Sequence, residues 1–264
     1  MPEAVPSGAV KSRVQSVSKA LRILEILANS PDGEMSVSQV AKELGWHRTT
    51  VYRFMQTLVD EGFVRYLPAG ERYHLTFKIV ELANQLVNRL DIRRVARPHL
   101  LRLVEKWQIN AHLGVMEGGQ VVFIDRLECD KPLRTHFHIG RRAPIHATAV
   151  GKALLAEMEP GVALELVRKA GWQRYTAQTI CDEEVFLREL AEIRRAGYSV
   201  DRGEHNQGVA CVAAVVRDVT GGAVGGISLS GAAEEILGQD VEAMGQSVRE
   251  TAEFISVDLG WQKP

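Results

Sequence analysis

Residues 45–58, GWHRTTVYRFMQTL, contain two arginines, a histidine and no acidic residue. With 3.6 residues per helical turn, one side of this segment is apolar and consists of Val51, Phe54, Met55 and Leu58. The other side carries Arg48, Thr49, Tyr52, Arg53 and Gln56. Guanidinium and hydroxyl groups along one helix face suit contacts with phosphate oxygens and with base edges in a DNA groove. The spacing therefore predicts a helix that packs on one side and binds DNA on the other.

Two other stretches fall short of known enzyme motifs. Gly151-Lys152 lacks both the upstream glycine and the following Ser or Thr of a phosphate-binding P-loop. Ser228 and Ser230, in GISLSG, do not have the GxSxG spacing of a nucleophile elbow. Neither stretch predicts catalysis.

Clusters of titratable residues are equally incomplete. Asp201, Glu204 and His205 would form an acid/base cluster, but no nucleophile or oxyanion loop accompanies them. His136 and His138 would share a strand face, yet no neighbouring residue completes a metal site. We therefore interpret the histidines as a solvated strand face, and expect no catalytic residue, no metal and no cofactor.

The basic helix has the neighbours of a helix-turn-helix. An amphipathic helix is predicted over Ser16–Asn29, and a second follows Ser36, a favourable N-cap, over residues 37–44. Gly45 supplies a tight turn into the basic helix, and Trp46 is expected to pack in the corner. The alternative is a helical hairpin that only covers a core.

A hairpin is predicted directly after the basic helix. Alternating apolar residues precede and follow the turn at Pro68–Gly70, with Val64 and Tyr66 before it and Tyr73 and Leu75 after it. This hairpin is typical of a wing. The residues expected to contact DNA are Ser36, His47, Arg48, Thr49, Thr50, Tyr52, Arg53, Arg65 and Arg72.

The remaining sequence predicts a linker and a second domain. Residues 77–96 are predicted as a linker helix with an apolar stripe over 79–90. Beyond it, strands are expected at 111–117, 120–128, 209–218 and 223–230, with 133–139 as a further candidate, and residues 140–148 as a loop. Helices are expected from about 149, at 160–169, 183–196 and 240–259, packed on one face of the sheet. We therefore predict an α+β fold with a disordered lead-in (1–13), a winged helix-turn-helix (14–76), the linker (77–96) and a second domain (97–264).

Composition narrows the possible environments. The net charge is −1, but residues 10–79 hold ten Lys and Arg against seven Asp and Glu, a balance of +3. The three cysteines are far apart and predict neither a disulfide framework nor a zinc site. No apolar run approaches the roughly 20 residues of a spanning helix. These features favour a soluble, cytoplasmic protein whose N-terminal part binds DNA.

Several segments together resemble the IclR family of bacterial transcription regulators. They are VQSVSKALRILEIL, GWHRTTVYRFMQTLVDEGFV, RYHLTFKIVELA, GRRAPIHATAVGKALLA, TICDEEVFLRELAEIRRAGYSVDRGEHNQGVACVAA and GGISLSG. The resemblance covers nearly the whole chain and is strongest to the KdgR subgroup, whose members respond to a keto-deoxy sugar acid. Ala214-Val215 departs from the Ala-Pro that family members often have, which should alter the strand only slightly.

The resemblance implies a winged helix-turn-helix joined by a helix to a GAF-like effector domain, assembled as a dimer or a dimer of dimers. The family's effector-binding positions correspond to Ala149, Val150, Asp201, Val209, Cys211, Ser228 and Ser230. The residues support this location, because 147–151 lead into a helix N-terminus, which favours an anion. The alternatives are a buried core residue for Cys211 and a solvated loop for Asp201 and Glu204.

We therefore expect a transcriptional regulator, a repressor rather than an activator. It is expected to bind a palindromic operator and to respond to a 2-keto or keto-deoxy sugar acid. An aromatic acid is the alternative effector. A ligand-binding enzyme with a helical appendage is the alternative from another class. The operator sequence and the effector itself are not encoded in any motif.

Overall fold

The computed structural model describes residues 14–82, 91–129 and 138–262, and the chain divides into two compact units, 1–86 and 87–264. The N-terminal unit contains α1 (Gln15–Ala28), β1 (Glu34–Met35), α2 (Val37–Leu44), α3 (Arg48–Asp60), β2 (Val64–Leu67) and β3 (Arg72–Leu75). Its strands pair antiparallel in the order β1-β3-β2. Helix α3 is thus followed by the predicted hairpin, and β1, too short to show alternation, adds an unpredicted strand.

The predicted signals at both ends of α2 are confirmed. Ser36 Oγ accepts from the Gln39 backbone N–H at 3.3 Å, and Gln39 Oε1 accepts from the Ser36 N–H at 2.8 Å, which is a capping box. Gly45 ends the helix at φ 66°, in the left-handed region that glycine adopts without strain. These contacts fix the angle at which the chain enters α3.

The N-terminal core is formed where the helices and the hairpin meet. The apolar side of α3 is buried through Val51, Met55 and Leu58, as predicted. The alternating pattern predicts the wrong environment for Tyr66, however. Tyr66 is 40 % exposed, while its cross-strand partner Tyr73 is buried. A two-stranded wing covers only part of one face, so the tip of β2 remains in solvent.

The C-terminal unit is built on a mixed set of helices and hairpins. Its helices are α4 (Asp91–Trp107), α5 (Ala149–Ala156), α6 (Pro160–Ala170), α7 (Glu183–Ala196), α8 (Ala233–Leu237) and α9 (Val241–Asp258). Its strands are β4 (Asn110–Glu117), β5 (Gln120–Leu127), β6 (Arg142–Pro144), β7 (Ser199–Asp201), β8 (Val209–Arg217) and β9 (Ala223–Ala232). Within the described ranges these strands form one antiparallel sheet in the order β6-β5-β4-β9-β8-β7.

Helices cover both faces of this sheet. Helices α4 and α9 pack on the face formed by Ala111, Val212 and Leu229, whereas α5, α6 and α7 pack on the face of Phe123 and Ala213. The expectation of helices on one face is wrong, because β8 and β9 are buried on both sides and leave neither face for solvent. The α+β class itself is confirmed.

Several predicted boundaries change in the structure. Residues 78–82 are helical and α4 extends past 96 to Trp107, while 83–90 of the predicted linker lie outside the described residues. Residues 133–137 of the candidate strand also lie outside them, and His138 and Ile139 are not in a strand.

Residues 142–144, predicted as loop, form β6, and β7 was not predicted; both are only three residues long. Strand β8 continues through Ala214 and Val215, since valine retains the N–H that proline lacks.

Candidate functional sites

The predicted DNA-contacting residues all lie in the N-terminal unit, but only Ser36, Arg48, Thr49, Tyr52 and Arg53 line a common groove, and His47, Thr50, Arg65 and Arg72 are not part of its lining. His47, Arg48, Thr49, Tyr52 and Arg53 are exposed on the first two turns of α3 or just before them, and Thr50 is half-buried. A groove beside them, which we call the recognition groove, is lined by Ser36, Val37, Ser38, Arg48, Thr49, Tyr52, Arg53, Tyr66, Glu71 and Tyr73. The start of α2, the face of α3 and the wing therefore form one surface.

The arginines on this surface differ in how they are held. Among the described residues, the guanidinium groups of Arg48 and Arg53 have no hydrogen-bond or ion-pair partner, so they are available to a ligand. Arg65 is exposed on β2, whereas Arg72 is half-buried with Nη1 3.9 Å from Asp32 Oδ2. Sequence reasoning missed Tyr66 and Glu71 in the groove, because wing geometry decides which hairpin residues face α3.

In the C-terminal unit, polar side chains line up across four strands. Antiparallel pairing places Asn110 opposite Ser230, Ser230 opposite Cys211, and Cys211 opposite Asp201. All four are buried, and Cys211 Sγ donates to Ser230 Oγ at 3.1 Å. We call Asn110, Ser230, Cys211 and Asp201 the polar row. Ser228 lies two residues from Ser230 on the same face of β9, opposite His112.

The N-terminus of α5 packs against this part of the sheet. Thr148 caps the helix by accepting from the Gly151 N–H at 3.2 Å, and the Ser199 hydroxyl donates to the Ala149 carbonyl at 2.6 Å. Val150 fits against Gly226 of β9, where a Cβ would lie 3.1 Å from Val150 Cγ1. The structure thus brings Ala149, Val150 and the polar row into one region, and Val209 stands half-buried at the start of β8.

A buried charge cluster adjoins Asp201. Lys152, fully buried in α5, donates to Glu204 Oε1 at 2.5 Å, Glu189 Oε1 at 2.7 Å and the Val200 carbonyl at 2.8 Å. Burial alone would lower the pKa of Lys152, but the two carboxylates raise it. Asp201 Oδ1 accepts from the Glu204 backbone N–H at 2.7 Å. The solvated-loop interpretation of Asp201 and Glu204 is therefore wrong, since each is only 3 % exposed.

Burial also shifts the titration of this region. It raises the pKa of Asp201 to about 7, with the Glu204 charge acting in the same direction, and it raises the pKa of Glu204. It raises the pKa of the Cys211 thiol far above its usual range, aided by Asp201. Burial and, to a smaller extent, the positive charge of Arg126 together lower the pKa of His112 to about 3. The thiol is therefore protonated and His112 neutral at neutral pH.

Sequence reasoning missed His112, His146 and the ion pairs of Lys152. One signal was present for the lysine: AVGKALLA is otherwise apolar all round, which indicates a buried helix, and a buried lysine requires a carboxylate. The pair His136 and His138, interpreted above as a solvated strand face, is only partly described, because His136 lies outside the described residues. Within those residues, no group of three or more His, Cys, Asp or Glu side chains could hold a metal ion. In the same ranges, no helix combines the length and apolar character needed to cross a bilayer.

Comparison with known families identifies both units. The model described as IclR helix-turn-helix domain matches residues 16–68, and the one described as Bacterial transcriptional regulator IclR C-terminal matches residues 84–257. The second match contains the polar row, and the first contains the residues of the recognition groove on α2, α3 and β2 but ends before Glu71 and Tyr73.

Individual relatives resemble the chain over most of its length. The repressor AllR of Klebsiella pneumoniae is 32 % identical over 246 residues, 93 % of this chain and 90 % of that protein. The regulator KdgR of Dickeya chrysanthemi is 32 % identical over 216 residues, 81 % of this chain and 71 % of that protein. A crystal structure of an IclR homolog from Microbacterium hydrocarbonoxydans, complexed with 4-hydroxybenzoate, superposes with a TM-score of 0.79 at 26 % identity, covering 92 % of this chain and 98 % of that one.

Proposed function

Because the chain belongs to the IclR family of bacterial transcriptional regulators, we propose that it represses a catabolic operon and is switched by a small organic acid. It binds a palindromic operator as a dimer or a dimer of dimers. One winged helix-turn-helix reads only a short half-site, so two modules related by a two-fold axis are needed for useful specificity. The relative AllR is named a transcriptional repressor, which supports repression rather than activation for this chain.

The observation that carries the DNA-binding part is the recognition groove. Arg48 and Arg53 are exposed on one face of α3, and among the described residues no acidic group pairs with either. The capping box and Gly45 fix α2 and the start of α3, so these side chains are presented by rigid elements. An arginine on such a face binds the O6 and N7 atoms of guanine or a phosphate.

The observation that carries the effector part is the buried polar row beside the start of α5. Backbone N–H groups at a helix N-terminus favour an anion, so they suit the carboxylate of the acid. The hydroxyls of Ser228 and Ser230 suit a keto or hydroxyl oxygen. The 4-hydroxybenzoate bound by the Microbacterium homolog is also a carboxylate, which keeps an aromatic acid as the second candidate beside a 2-keto or keto-deoxy sugar acid.

Selection of genomic DNA fragments by the purified protein tests this function. We expect recovery of a palindromic site and its retardation in gel shifts by wild type. Arg53→Ala should weaken binding to that site by about 1–3 kcal/mol, roughly 5- to 150-fold, if Arg53 makes a bidentate base contact. Arg188→Ala, an exposed arginine on α7, is the matched control and should bind like wild type.

Equal operator affinity for wild type and Arg53→Ala would contradict the assignment of this face. Failure to recover any preferred fragment would contradict the proposed function. Release of the recovered site by an added organic acid would support the switch.

A further inference from the structure

The C-terminal unit contains a cavity of about 500 Å³, a volume within the range of small-molecule sites. It lies where the end of α5, the last turn of α7, the end of β8 and helix α9 meet. The charged residues that line it are Arg194, Arg195, Arg217, Arg249, Glu157 and Glu253. None of the described residues that line it belongs to the polar row, so this arginine-lined cavity is separate from the proposed effector site.

The charges of the arginine-lined cavity do not balance. Four guanidinium groups stand against two carboxylates among its described lining residues, which leaves an excess of two positive charges. Glu157 Oε2 already accepts from Arg217 Nη2 at 2.5 Å. Glu253 Oε1 lies 3.8 Å from Arg249 Nε, which is close enough for an ion pair but too far for a hydrogen bond. The excess charge therefore favours an anion in this cavity.

Two of the arginines have hydrogen-bond donors that are not used. Arg249 Nε is buried and has no hydrogen-bond partner, and Nη1 of the same side chain reaches the Ala196 carbonyl only at 3.4 Å. Arg195, exposed in the last turn of α7, has no hydrogen-bond or ion-pair partner among the described residues. A buried donor without an acceptor is destabilising, so Arg249 calls for an acceptor from a ligand.

The other two arginines are held in place by neighbouring groups. Arg194 donates from Nε to the Ala156 carbonyl at 2.7 Å and from Nη2 to the Met158 carbonyl at 2.8 Å. The Arg217 guanidinium lies 5.5 Å from the centre of the Trp261 ring, in addition to its ion pair. Both side chains keep their charge beside the cavity in fixed positions, which reduces the entropy lost when a ligand binds.

We propose that the arginine-lined cavity binds a small organic phosphate monoester. This site goes beyond the proposed function and does not depend on it. A phosphate monoester carries about two negative charges at neutral pH, which matches the excess in the cavity. Its terminal oxygens accept the paired N–H donors that a guanidinium group presents. Ile193, Val215 and Trp261 supply apolar surface for the organic group of the ester.

Calorimetric titration of the full-length protein with matched compounds tests this inference. The phosphate monoesters are glucose 6-phosphate and AMP, and the matched compounds without phosphate are glucose and adenosine. We expect at least one ester to bind wild type, and neither glucose nor adenosine to bind. Malonate carries two charges on separate carboxylates, so it should bind more weakly than the ester.

Substitutions then assign the binding to this cavity. Arg195→Ala and Arg249→Lys should each weaken binding of the ester about tenfold, because each removes donors to a charged oxygen. Arg195 is exposed and unpaired among the described residues, so its truncation should leave the fold intact. Arg188→Ala is the matched control, since Arg188 is also exposed on α7, about two turns earlier, but does not line the cavity. It should bind the ester like wild type.

Arg53→Ala distinguishes the cavity from the recognition groove, whose arginines suit the phosphates of DNA. It should not change the affinity for the ester. Loss of ester binding in Arg53→Ala, or unchanged affinity in Arg195→Ala, would overturn the assignment to the cavity. Failure of both esters to bind wild type would overturn the inference whether or not any variant folds, and so would malonate binding as tightly as the ester. Operator recognition is measured separately by the fragment selection.

Discussion

Burial controls the properties of single residues around the polar row. Lys152 is stabilised inside an apolar helix because three oxygens accept its three N–H groups, so no donor is left unsatisfied. Asp201 has weaker compensation, since its neighbours are the thiol of Cys211 and the backbone N–H of Glu204. The two carboxylates therefore keep Lys152 charged despite its burial, whereas burial favours the protonated form of Asp201.

Asp201 should make the stability of the C-terminal unit depend on pH. Its folded-state pKa of about 7 lies above the ordinary value of 3.8, so the folded protein holds a proton that the unfolded chain has lost. The protonated Asp201 therefore adds to the free energy of unfolding. This contribution is complete below about pH 4 and falls by up to a few kcal/mol as the pH rises to about 7. Asp201→Asn removes this titration.

Urea unfolding of wild type and Asp201→Asn at several pH values between 4.5 and 7.5 measures the effect. The wild type should lose unfolding free energy relative to the variant as the pH rises. The exposed substitution Asp60→Asn should show no such trend. A difference between wild type and Asp201→Asn that stays constant over this range would contradict the burial argument.

Among the elements, α5 lies unusually close to its surroundings. It is buried on every side, and Gly151 in its first turn lets the helix lie closer to the backbone of Ile145 than any side chain at this position would allow. A Cβ on Gly151 would lie 2.1 Å from the Ile145 carbonyl oxygen, a backbone atom that cannot move alone. The position of the α5 N-terminus therefore depends on this glycine.

Gly151→Ala should destabilise the protein by about 2 kcal/mol or more, or prevent soluble expression. Alanine ordinarily stabilises a helix relative to glycine, so the expected sign is opposite to that of helix propensity. Gly161→Ala in α6 is the matched control, because its Cβ would meet only the flexible end of Glu159, at 3.2 Å. Thermal melts that place Gly151→Ala at or above wild type would show that α5 has room to adjust.

At the scale of the whole molecule, apolar surface remains at the end of the N-terminal unit. Phe77, Val80 and Leu82 are 82 %, 50 % and 48 % exposed, at the start of the predicted linker helix. Large apolar side chains grouped in this way are typical of interfaces. Packing within the same chain is the alternative for the linker stripe, but these three side chains are not covered by the described residues.

We expect the protein to be at least dimeric in solution, with this apolar surface at the interface. Light scattering should give a mass of twice 29.2 kDa or a higher multiple at micromolar concentration. The double variant Val80→Glu/Leu82→Glu should shift the mass toward monomer, while Val219→Glu, at a more exposed position in the C-terminal unit, should not. Monomer alone in the wild-type sample would contradict the dimer.

Local patterns in the sequence determined the helix-turn-helix, the wing and most helices and strands. The capping box, the left-handed glycine and the 3.6-residue apolar period act over a few neighbouring residues, so they are visible without the fold. Short elements such as β7 and residues 142–144 escaped, because three residues carry too little periodicity. Helices on both sheet faces were missed for lack of a rule that assigns each helix to a face.

The pairing of strands that are far apart in the sequence determined the C-terminal site. The polar row joins residues 110, 201, 211 and 230, and no local pattern specifies that β9 lies between β4 and β8. The resemblance to a family supplied candidate effector positions, but the burial of Glu204 and His146 and the pairing of Glu204 with Lys152 required the tertiary structure. Pairing register and exclusion of water arise only when distant segments pack together, and those two conditions set the chemistry of this site.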